Sequence, residues 1–265
     1  MNPKKLFDLS GKVVVLTGAS GFLGSKYAEG LAQAGANVVL ADIKYSNCKK
    51  LENELSRKYS AEIMSLKLDV TNKKSIKNLV TKVKQKFHKI DVLINNAVFP
   101  ETPKDRKIPF EDFPLQTWNK IIEVNTTGVF LCCQEIGRLM KKQKNGIIIN
   151  VSSIYGLVGA DQRIYGKSGL NSSIAYAVTK SSLLNLTRYL ASYWSNYGIR
   201  VNTLSLGGVK NNQDPIFVKN YSYRTMLGRM AEKDDYIGPI LFLASDASSY
   251  MNGANLIVDG GWTAW

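Results

Sequence analysis

The feature that most constrains the fold is the regular alternation of two apolar patterns along the chain. Short continuous runs such as KVVVLTG, NVVLAD and GIIINV have the length of strands that are buried on both faces. Longer segments between them place apolar residues on one face of a helix, as Leu23, Tyr27, Leu31 and Ala34 do in FLGSKYAEGLAQAG. The alternation predicts one doubly wound α/β domain over residues 1–265, with a parallel sheet of about seven strands and helices on both faces.

A glycine-rich turn, TGASGFLG, follows the first predicted strand and opens the first long predicted helix. Glycines at such a turn let the backbone approach a diphosphate, and the helix N-terminus offers free N–H groups and a positive dipole end. Asp42 ends the second predicted strand, where a carboxylate can accept hydrogen bonds from both ribose hydroxyls of adenosine and repels a 2′-phosphate. The pattern predicts a dinucleotide site, with NAD(H) favoured over NADP(H).

Composition narrows the range of partners. The net charge of +14 suggests a polyanionic partner, but the lysines are spread over helical segments beside apolar residues. Solvated helix faces explain most of them, so we expect no nucleic-acid partner, although the charge suits anionic substrates. No segment reaches the roughly 20 apolar residues of a membrane span, so we expect no membrane partner.

Histidine and cysteine are scarce. His88 is the only histidine, and Cys48, Cys132 and Cys133 have no metal-ligand spacing. We therefore expect no metal site, an exposed His88 at the polar end of a lysine-rich helix, and a reducing, cytoplasmic compartment.

Eight segments in order resemble the short-chain dehydrogenase/reductase family, and the resemblance runs from Gly11 to Trp262. The segments are TGASGFLG, LDV, NNA, VNTTG, NVSS, YAVTK, VNTLSLGGV and NLIVDGG. The resemblance implies a Rossmann fold and an enzyme that transfers hydride between nicotinamide and a secondary alcohol or ketone. The catalytic residues it implies are Asn125, Ser153, Tyr176 and Lys180. The cofactor-binding residues, including the glycine turn, are Gly18, Ser20, Gly21, Phe22, Leu23, Asp42, Asp69, Val70, Asn96, Ala97, Tyr176, Lys180 and Val209.

Each catalytic residue has an implied role. Ser153 would hydrogen-bond the reacting oxygen, Tyr176 would exchange its proton, and Asn125 would hold a water that links Lys180 to solvent. The roles of Tyr176 and Lys180 are chemically reasonable without the family resemblance, because residues four apart share a helix face. An ammonium also stabilises a phenolate, whose group ordinarily has a pKa of about 10.

A second tyrosine competes for the catalytic position. Tyr165 lies at the distance from Ser153 that is commoner in the family, but the residue four positions later is Gly169 rather than lysine. We therefore expect Tyr176 to be the catalytic tyrosine. The long segment 154–175 would form a loop over the active-site mouth, and its polar composition suits a hydroxyl-rich substrate.

Three positions depart from the pattern of the single-domain branch of the family. Phe22 replaces the middle glycine of the turn, which gives the glycine spacing of the sugar-nucleotide-modifying branch. Val98 replaces a glycine and Leu206 a proline. None removes a reacting group, so we expect an active enzyme that binds the cofactor phosphates.

Two other functions stay open. The positive charge would suit a 3-oxoacyl-carrier-protein reductase, although Asp42 opposes the NADPH usual for that reaction. The departures permit a non-catalytic dinucleotide-sensing protein. The segments SGFLGS, NNAVFP, SSIYG and SLGGV more narrowly resemble oxidoreductases of flagellar or surface-glycan sugar biosynthesis, which favours a small-molecule substrate that is a modified sugar.

The family resemblance also implies a homotetramer or homodimer. Long helices predicted near 116–144 and 174–196 would pack against their symmetry mates. Leu183, Leu190 and Trp194 share one helix face and are expected at that interface.

Overall fold

The computed structural model describes residues 3–265 and has seven strands in one sheet, with every neighbouring pair parallel. The strands are β1 (Val13–Thr17), β2 (Asn37–Asp42), β3 (Ile63–Lys67), β4 (Val92–Asn95), β5 (Gly146–Ser153), β6 (Ile199–Leu206) and β7 (Asn255–Val258). Their spatial order is β3-β2-β1-β4-β5-β6-β7, so the strand order reverses between β1 and β4. The predicted doubly wound fold is confirmed, and ligands of such folds bind at the carboxyl ends of the strands near this reversal.

Helices precede and connect the strands. The α-helices of the described residues are α1 (Pro3–Leu6), α2 (Gly24–Gln33), α3 (Tyr45–Lys58), α4 (Lys73–Phe87), α5 (Leu115–Ile122), α6 (Gly128–Gln143), α7 (Ile174–Tyr193), α8 (Pro215–Arg224) and α9 (Ile237–Ala244). Short 3₁₀ turns include Ile154–Gly156 and Gln162–Tyr165 in the connection between β5 and α7.

The side chains of β1 alternate between two apolar cores, one on each face of the sheet. Val14 and Leu16 pack with residues of α2, α3 and α9, whereas Val13 and Val15 pack with residues of α4, α6 and α7. Continuous apolar strands are therefore required, because both faces are covered. A third, smaller cluster includes Tyr165 and lies above the sheet, around the 3₁₀ turns that follow β5.

The predicted long helix near 116–144 is interrupted. Glu123–Thr127 form a π-helical turn between α5 and α6. The extra residue in such a turn shifts the side chains that follow it, and π turns are frequent at functional sites. The turn contains Asn125, which is buried.

The prediction that Leu183, Leu190 and Trp194 form a subunit interface is wrong. They are 2%, 8% and 7% exposed and belong to the core between α7 and the sheet. This face of α7 covers the strands, although Leu190 and Trp194 also line a cleft on the outer surface. The exposed aromatic residues are on a different face, where Tyr189 and Tyr193 are 63% and 61% exposed and their rings stack at 5.9 Å.

His88 is exposed, as predicted, and takes a left-handed conformation (φ 64°) just after α4. The three cysteines are buried free thiols. Among residues 3–265, no helix is long and apolar enough to cross a membrane, and no group of three or more acidic, histidine or cysteine side chains could hold a metal ion.

Candidate active site

The glycine turn between β1 and α2 is tightly folded. Gly18 has a φ of +63°, and a Cβ there would lie 2.8 Å from the Ala97 Cα. A Cβ on Gly24 would collide with the Gly18 carbonyl oxygen. Glycine is therefore needed at both positions, by backbone conformation at Gly18 and by close approach at both.

The same turn leaves backbone donors free. The N–H groups of Phe22 and Leu23 donate to no other described residue, and Leu23, which precedes α2, has no side-chain cap. Gly21 is exposed. Free amides at a helix N-terminus form an anion site, so this turn fits the diphosphate of a dinucleotide.

Asp42 is fixed against the glycine turn. Its Oδ2 accepts hydrogen bonds from the Ser20 amide (3.0 Å) and the Ser20 hydroxyl (2.9 Å), and its Oδ1 accepts one from the Lys44 amide (2.9 Å). A carboxylate with two oxygens has about four acceptor positions. Asp42 therefore keeps acceptor capacity for ribose hydroxyls in a defined orientation.

The segment after β4 is fastened to the turn by polar contacts. Thr17 Oγ1 accepts from the amides of Asn96 and Ala97, both at 3.0 Å. The Asn96 side chain donates to the carbonyl oxygens of Thr17 and Gly18, both at 3.1 Å. The two loops that flank the strand-order reversal thus form one rigid unit.

Asp69 and Val70 follow β3, at the same edge of the sheet. The Asp69 carboxylate accepts from the amide (2.9 Å) and hydroxyl (2.7 Å) of Thr71. Val70 packs closely on Gly128, since a Cβ added to Gly128 would lie 2.7 Å from Val70 Cγ2. Both residues are partly buried, in the region predicted for the adenine.

A cleft of about 530 Å³ opens beside this rigid unit, over the carboxyl ends of β4, β5 and β6. Six catalytic or cofactor-binding candidates line it together, namely Leu23, Asn96, Ser153, Tyr176, Lys180 and Val209. The Val209 carbonyl oxygen accepts from the Gln213 side chain at 2.7 Å. The structure thus brings these candidates to one cleft although they are far apart in sequence.

Ser153 and Tyr176 interact directly in the cleft. Ser153 ends β5, and Tyr176 lies in the first turn of α7, where Ser173 caps the helix by accepting from the Tyr176 amide (3.1 Å). Burial raises the pKa of Tyr176, and hydrogen bonding with Ser153 partly opposes the rise. Tyr176 is therefore a neutral phenol at neutral pH in the protein without cofactor.

Lys180 lies one helical turn beyond Tyr176 and is only 6% exposed. Its Nζ donates to the Val151 carbonyl oxygen (2.8 Å) and lies 5.6 Å from the Tyr176 ring centroid. Burial lowers the pKa of Lys180 to about 8. The sequence argument placed Lys180 near Tyr176, and the structure has it there, held by a backbone oxygen of β5.

Asn125 lies close by but does not touch Lys180. Its Oδ1 accepts from the Phe99 amide (2.7 Å), and its Nδ2 donates to the Thr179 hydroxyl (3.2 Å). These contacts join the π turn to the segment after β4 and to α7. The water relay proposed for Asn125 stays a prediction.

The three departures from the family pattern lie where the sequence suggested. Phe22 is in the glycine turn, with the Lys233 Nζ 3.9 Å from its ring centroid. Val98 is 44% exposed beside the cleft. Leu206 ends β6 and is buried against the core. Val98 and Leu206 both line the cleft, and Leu206 is the β6 residue paired with Ser153.

Tyr165 is not a solvent-exposed loop residue. It is 5% exposed and lines the cleft, and its ring centroid lies 5.1 Å from that of Phe217, with the two ring planes tilted by 30°. The segment 154–175 thus does border the cleft. The charged neighbour of Tyr165 is Arg106, whose guanidinium carbon lies 5.2 Å from the ring centroid.

Sequence reasoning missed Arg106 and Glu101, which both line the cleft. They belong to the connection that follows NNA at the carboxyl end of β4, and this position was the available signal. Arg106 also donates through Nε to the Asn171 carbonyl oxygen (3.3 Å), which joins this connection to the loop before α7.

Comparison with known proteins agrees with the fold. A family model described as "Enoyl-(Acyl carrier protein) reductase" matches residues 18–263. The chain is 32% identical over 254 residues to Post-translational flagellin modification protein A of Campylobacter coli, which covers 96% of this chain and 99% of that protein.

Two solved structures are similar over nearly their full lengths. One is a short-chain dehydrogenase from Leptospira borgpetersenii serovar Hardjo-bovis with bound NAD+, with a TM-score of 0.84, 36% identity and coverage of 99% of this chain and 96% of that chain. The other is a gluconate 5-dehydrogenase from Burkholderia cenocepacia J2315 in complex with NADP and tartrate, with a TM-score of 0.89, 28% identity and coverage of 100% of both chains.

The chain therefore belongs to the short-chain dehydrogenase/reductase family. It is an oxidoreductase that acts on alcohol and carbonyl groups with a nicotinamide dinucleotide.

Proposed function

We propose that Ser153, Tyr176 and Lys180 are the catalytic residues of an NAD(H)-dependent oxidoreductase that interconverts a secondary alcohol and a ketone. The observation that carries the proposal is that Ser153 and Tyr176 line one cleft, near enough for Ser153 to act on the pKa of Tyr176, with Lys180 buried one helical turn away. Tyr165 lines the same cleft, but the residue four positions after it is Gly169 rather than lysine.

The protein residues handle the proton. In the reducing direction, the Ser153 hydroxyl donates to the carbonyl oxygen of the substrate, and the Tyr176 Oη gives that oxygen its proton. The raised pKa of Tyr176 keeps this proton available at neutral pH. The Lys180 ammonium stabilises the phenolate that remains. A bound nicotinamide supplies the hydride.

The residues that would hold the cofactor follow the carboxyl edge of the sheet. The Phe22 and Leu23 amides, with Gly18, Ser20 and Gly21, would bind the diphosphate. The remaining assignments are Asp42 for the adenosine ribose, Asp69 and Val70 for the adenine, Asn96 and Ala97 beside the ribose, Tyr176 and Lys180 for the nicotinamide ribose, and Val209 for the carboxamide.

NAD(H) is the proposed cofactor because Asp42 presents a negative charge where NADP(H) carries its 2′-phosphate. Asp42 cannot easily turn away, since three hydrogen bonds fix its two oxygens.

The substrate is proposed to be a small hydroxyl-rich molecule such as a modified sugar. The similarity to a flagellin modification protein and to a gluconate 5-dehydrogenase supports this class. A carrier-protein substrate is the second candidate, favoured by the net charge of +14 and the description of the matching family model. A purely nucleotide-sensing role is disfavoured, because Ser153, Tyr176 and Lys180 adjoin one another in the cleft.

We further propose that residues 1–265 act as one domain and that the protein forms a homodimer or homotetramer. Exposed Phe130, Tyr189 and Tyr193 on α6 and α7 support the oligomer, since they border a cleft of about 420 Å³ on the outer surface.

A cytoplasmic location of the protein is supported by the three buried free thiols. Cell fractionation tests this location.

The proposed reaction is tested with purified protein and a panel of ketones, keto-sugars and 3-oxoacyl-carrier proteins. We expect NADH oxidation with at least one keto-sugar or polyol ketone, and about a hundredfold loss in Ser153→Ala with unchanged NADH binding. Ser152→Ala is a matched control, because the Ser152 hydroxyl donates to the backbone carbonyl oxygen of Lys180 (2.7 Å) rather than to a reacting group. Activity confined to carrier-protein substrates would contradict the sugar assignment, and full activity of Ser153→Ala would contradict the mechanism.

A further inference from the structure

Glu101 is a carboxylate in the cleft that the proposed mechanism does not use. It lies in the connection after β4 and lines the same cleft as Ser153 and Tyr176. Its Oε1 is shielded from solvent and has no hydrogen-bond partner among the described residues. A buried acceptor without a donor lowers the stability of the fold, so such a group is expected to have a structural or functional role.

The carboxylate is connected to the catalytic helix through Ser173. The Ser173 hydroxyl accepts from the Tyr176 amide (3.1 Å) and lies near enough to the Glu101 carboxylate to lower its pKa, against the larger effect of burial. The negative charge of Glu101 also contributes to the raised pKa of Tyr176, since the two groups are close enough to interact electrostatically. Glu101 thus lies in the same cleft as Tyr176 and within electrostatic range of its phenol.

An ion pair within the protein does not account for Glu101. Arg106 is the nearest cation that acts on it, but the described residues contain no salt bridge between the two. Arg106 instead lies over the Tyr165 ring and donates to the Asn171 carbonyl oxygen. The fold therefore leaves one oxygen of the Glu101 carboxylate without a donor.

We propose that Glu101 is a specificity-determining residue, whose carboxylate accepts a hydrogen bond from a substrate hydroxyl next to the reacting one. The proposal rests on the function assigned above to Ser153 and Tyr176, and it narrows the substrate class to polyols and their ketones. Rotation about the terminal torsion of a glutamate is soft, so either oxygen can turn to face a donor in the cleft.

A hydroxyl group of the substrate fits the cleft beside Glu101 better than an ammonium group would. Arg106 and Lys180 line the same cleft and disfavour a further positive charge. A hydroxyl supplies the missing donor without adding charge. A substrate that lacks the second hydroxyl would bury the carboxylate unpaired, and sites of this kind discriminate strongly against such analogues.

The test compares three four-carbon alcohols that differ in hydroxyl number: butan-2-ol, butane-2,3-diol and threitol. We expect kcat/KM of the wild type with NAD+ to rise in that order. Glu101→Ala should lower kcat/KM for threitol and the diol by about tenfold to a hundredfold and leave butan-2-ol nearly unchanged. Glu101→Gln, which keeps an acceptor oxygen, should recover part of the loss.

Binding gives a readout that is independent of turnover. Threitol should raise the melting temperature of the wild-type NADH complex more than butan-2-ol does, and Glu101→Ala should remove the difference. Exposed Glu111 in the same connection provides the matched control, Glu111→Ala, which should behave as the wild type. NADH affinity should be unchanged in all variants, which excludes misfolding.

Two outcomes would overturn the proposal. One is an equal loss of kcat/KM for all three alcohols in Glu101→Ala, and the other is the absence of a threitol-specific thermal shift in the wild type. A wild type that binds threitol through Glu101 but oxidises none of the alcohols would instead contradict the proposed function. The two failures are therefore distinguishable.

Discussion

Replacing Asp42 by asparagine should relax the preference for NADH over NADPH. The variant Asp42→Asn removes one negative charge but keeps the size of the side chain and one acceptor oxygen for the Ser20 amide and hydroxyl. The other side of the carboxylate accepts from the Lys44 amide (2.9 Å), and the asparagine NH₂ group would face that donor. We expect a small loss of stability, of about 1 kcal/mol.

The effect on cofactor choice follows from Coulomb's law. Two unit charges 4 Å apart repel by about 1 kcal/mol in water and by about 4 kcal/mol at an effective dielectric constant of 20. Asp42 is partly buried at the edge of the sheet, so an intermediate value applies. The ratio of the NADPH and NADH dissociation constants should therefore fall by about tenfold to a hundredfold.

The assay is titration of NADH and NADPH by nucleotide fluorescence, at low and moderate salt. Asp8→Asn is the matched control, because Asp8 accepts from the amide (2.9 Å) and hydroxyl (2.6 Å) of Ser10 in the same way but precedes β1, at the opposite edge of the sheet. The reasoning is refuted if the wild type prefers NADPH, or if Asp42→Asn leaves the ratio of dissociation constants unchanged.

Three further predictions concern proton transfer, stability and assembly. Because Tyr176 must be a phenolate to accept the proton of an alcohol and its pKa is raised above the ordinary value of about 10, kcat/KM for oxidation should increase from about pH 7 to about pH 10, whereas kcat/KM for reduction should stay constant over that range; a flat profile for oxidation would contradict the assignment. Lys180→Met should raise the free energy of unfolding, by up to about 3 kcal/mol below pH 8. The reason is that the folded-state pKa of Lys180, about 8, lies below its unfolded value of 10.5, so the wild type carries the cost of a buried charge below pH 8 and loses that cost between pH 8 and 10.5. Urea denaturation at pH 7 and pH 10 measures the difference. In light scattering, Tyr189→Glu with Tyr193→Glu should reduce the oligomer to smaller species, and an unchanged mass would exclude this face as the interface.

Much of the fold could be predicted because strand and helix patterns have different periods. The β1 residues show why: Val13 to Leu16 are all apolar, which is required when alternate side chains enter two cores. The pairing of Tyr176 with Lys180 was also predictable, since one helical turn separates them. Such relations are local in sequence.

The failures involve contacts between distant segments. The apolar face with Leu183 and Leu190 was correctly identified, but periodicity does not tell whether that face packs on the chain's own sheet or on another subunit. The π turn at Glu123–Thr127 inserts one extra residue into a helix, and the helical composition of the segment gives no sign of it in the sequence. The surroundings of Glu101 depend on tertiary packing, because Ser173, which acts on its carboxylate, lies 72 residues later, in the loop before α7.

The most direct test of the central claim compares two tyrosines of the same cleft. In NADH-dependent reduction of an accepted ketone, Tyr176→Phe should lower kcat by about a hundredfold to ten-thousandfold, with the NADH dissociation constant unchanged. Tyr165→Phe should retain most of kcat, because Tyr165 contacts Arg106 and Phe217 and has no lysine one helical turn away. Full activity in Tyr176→Phe, or loss of turnover only in Tyr165→Phe, would contradict the account.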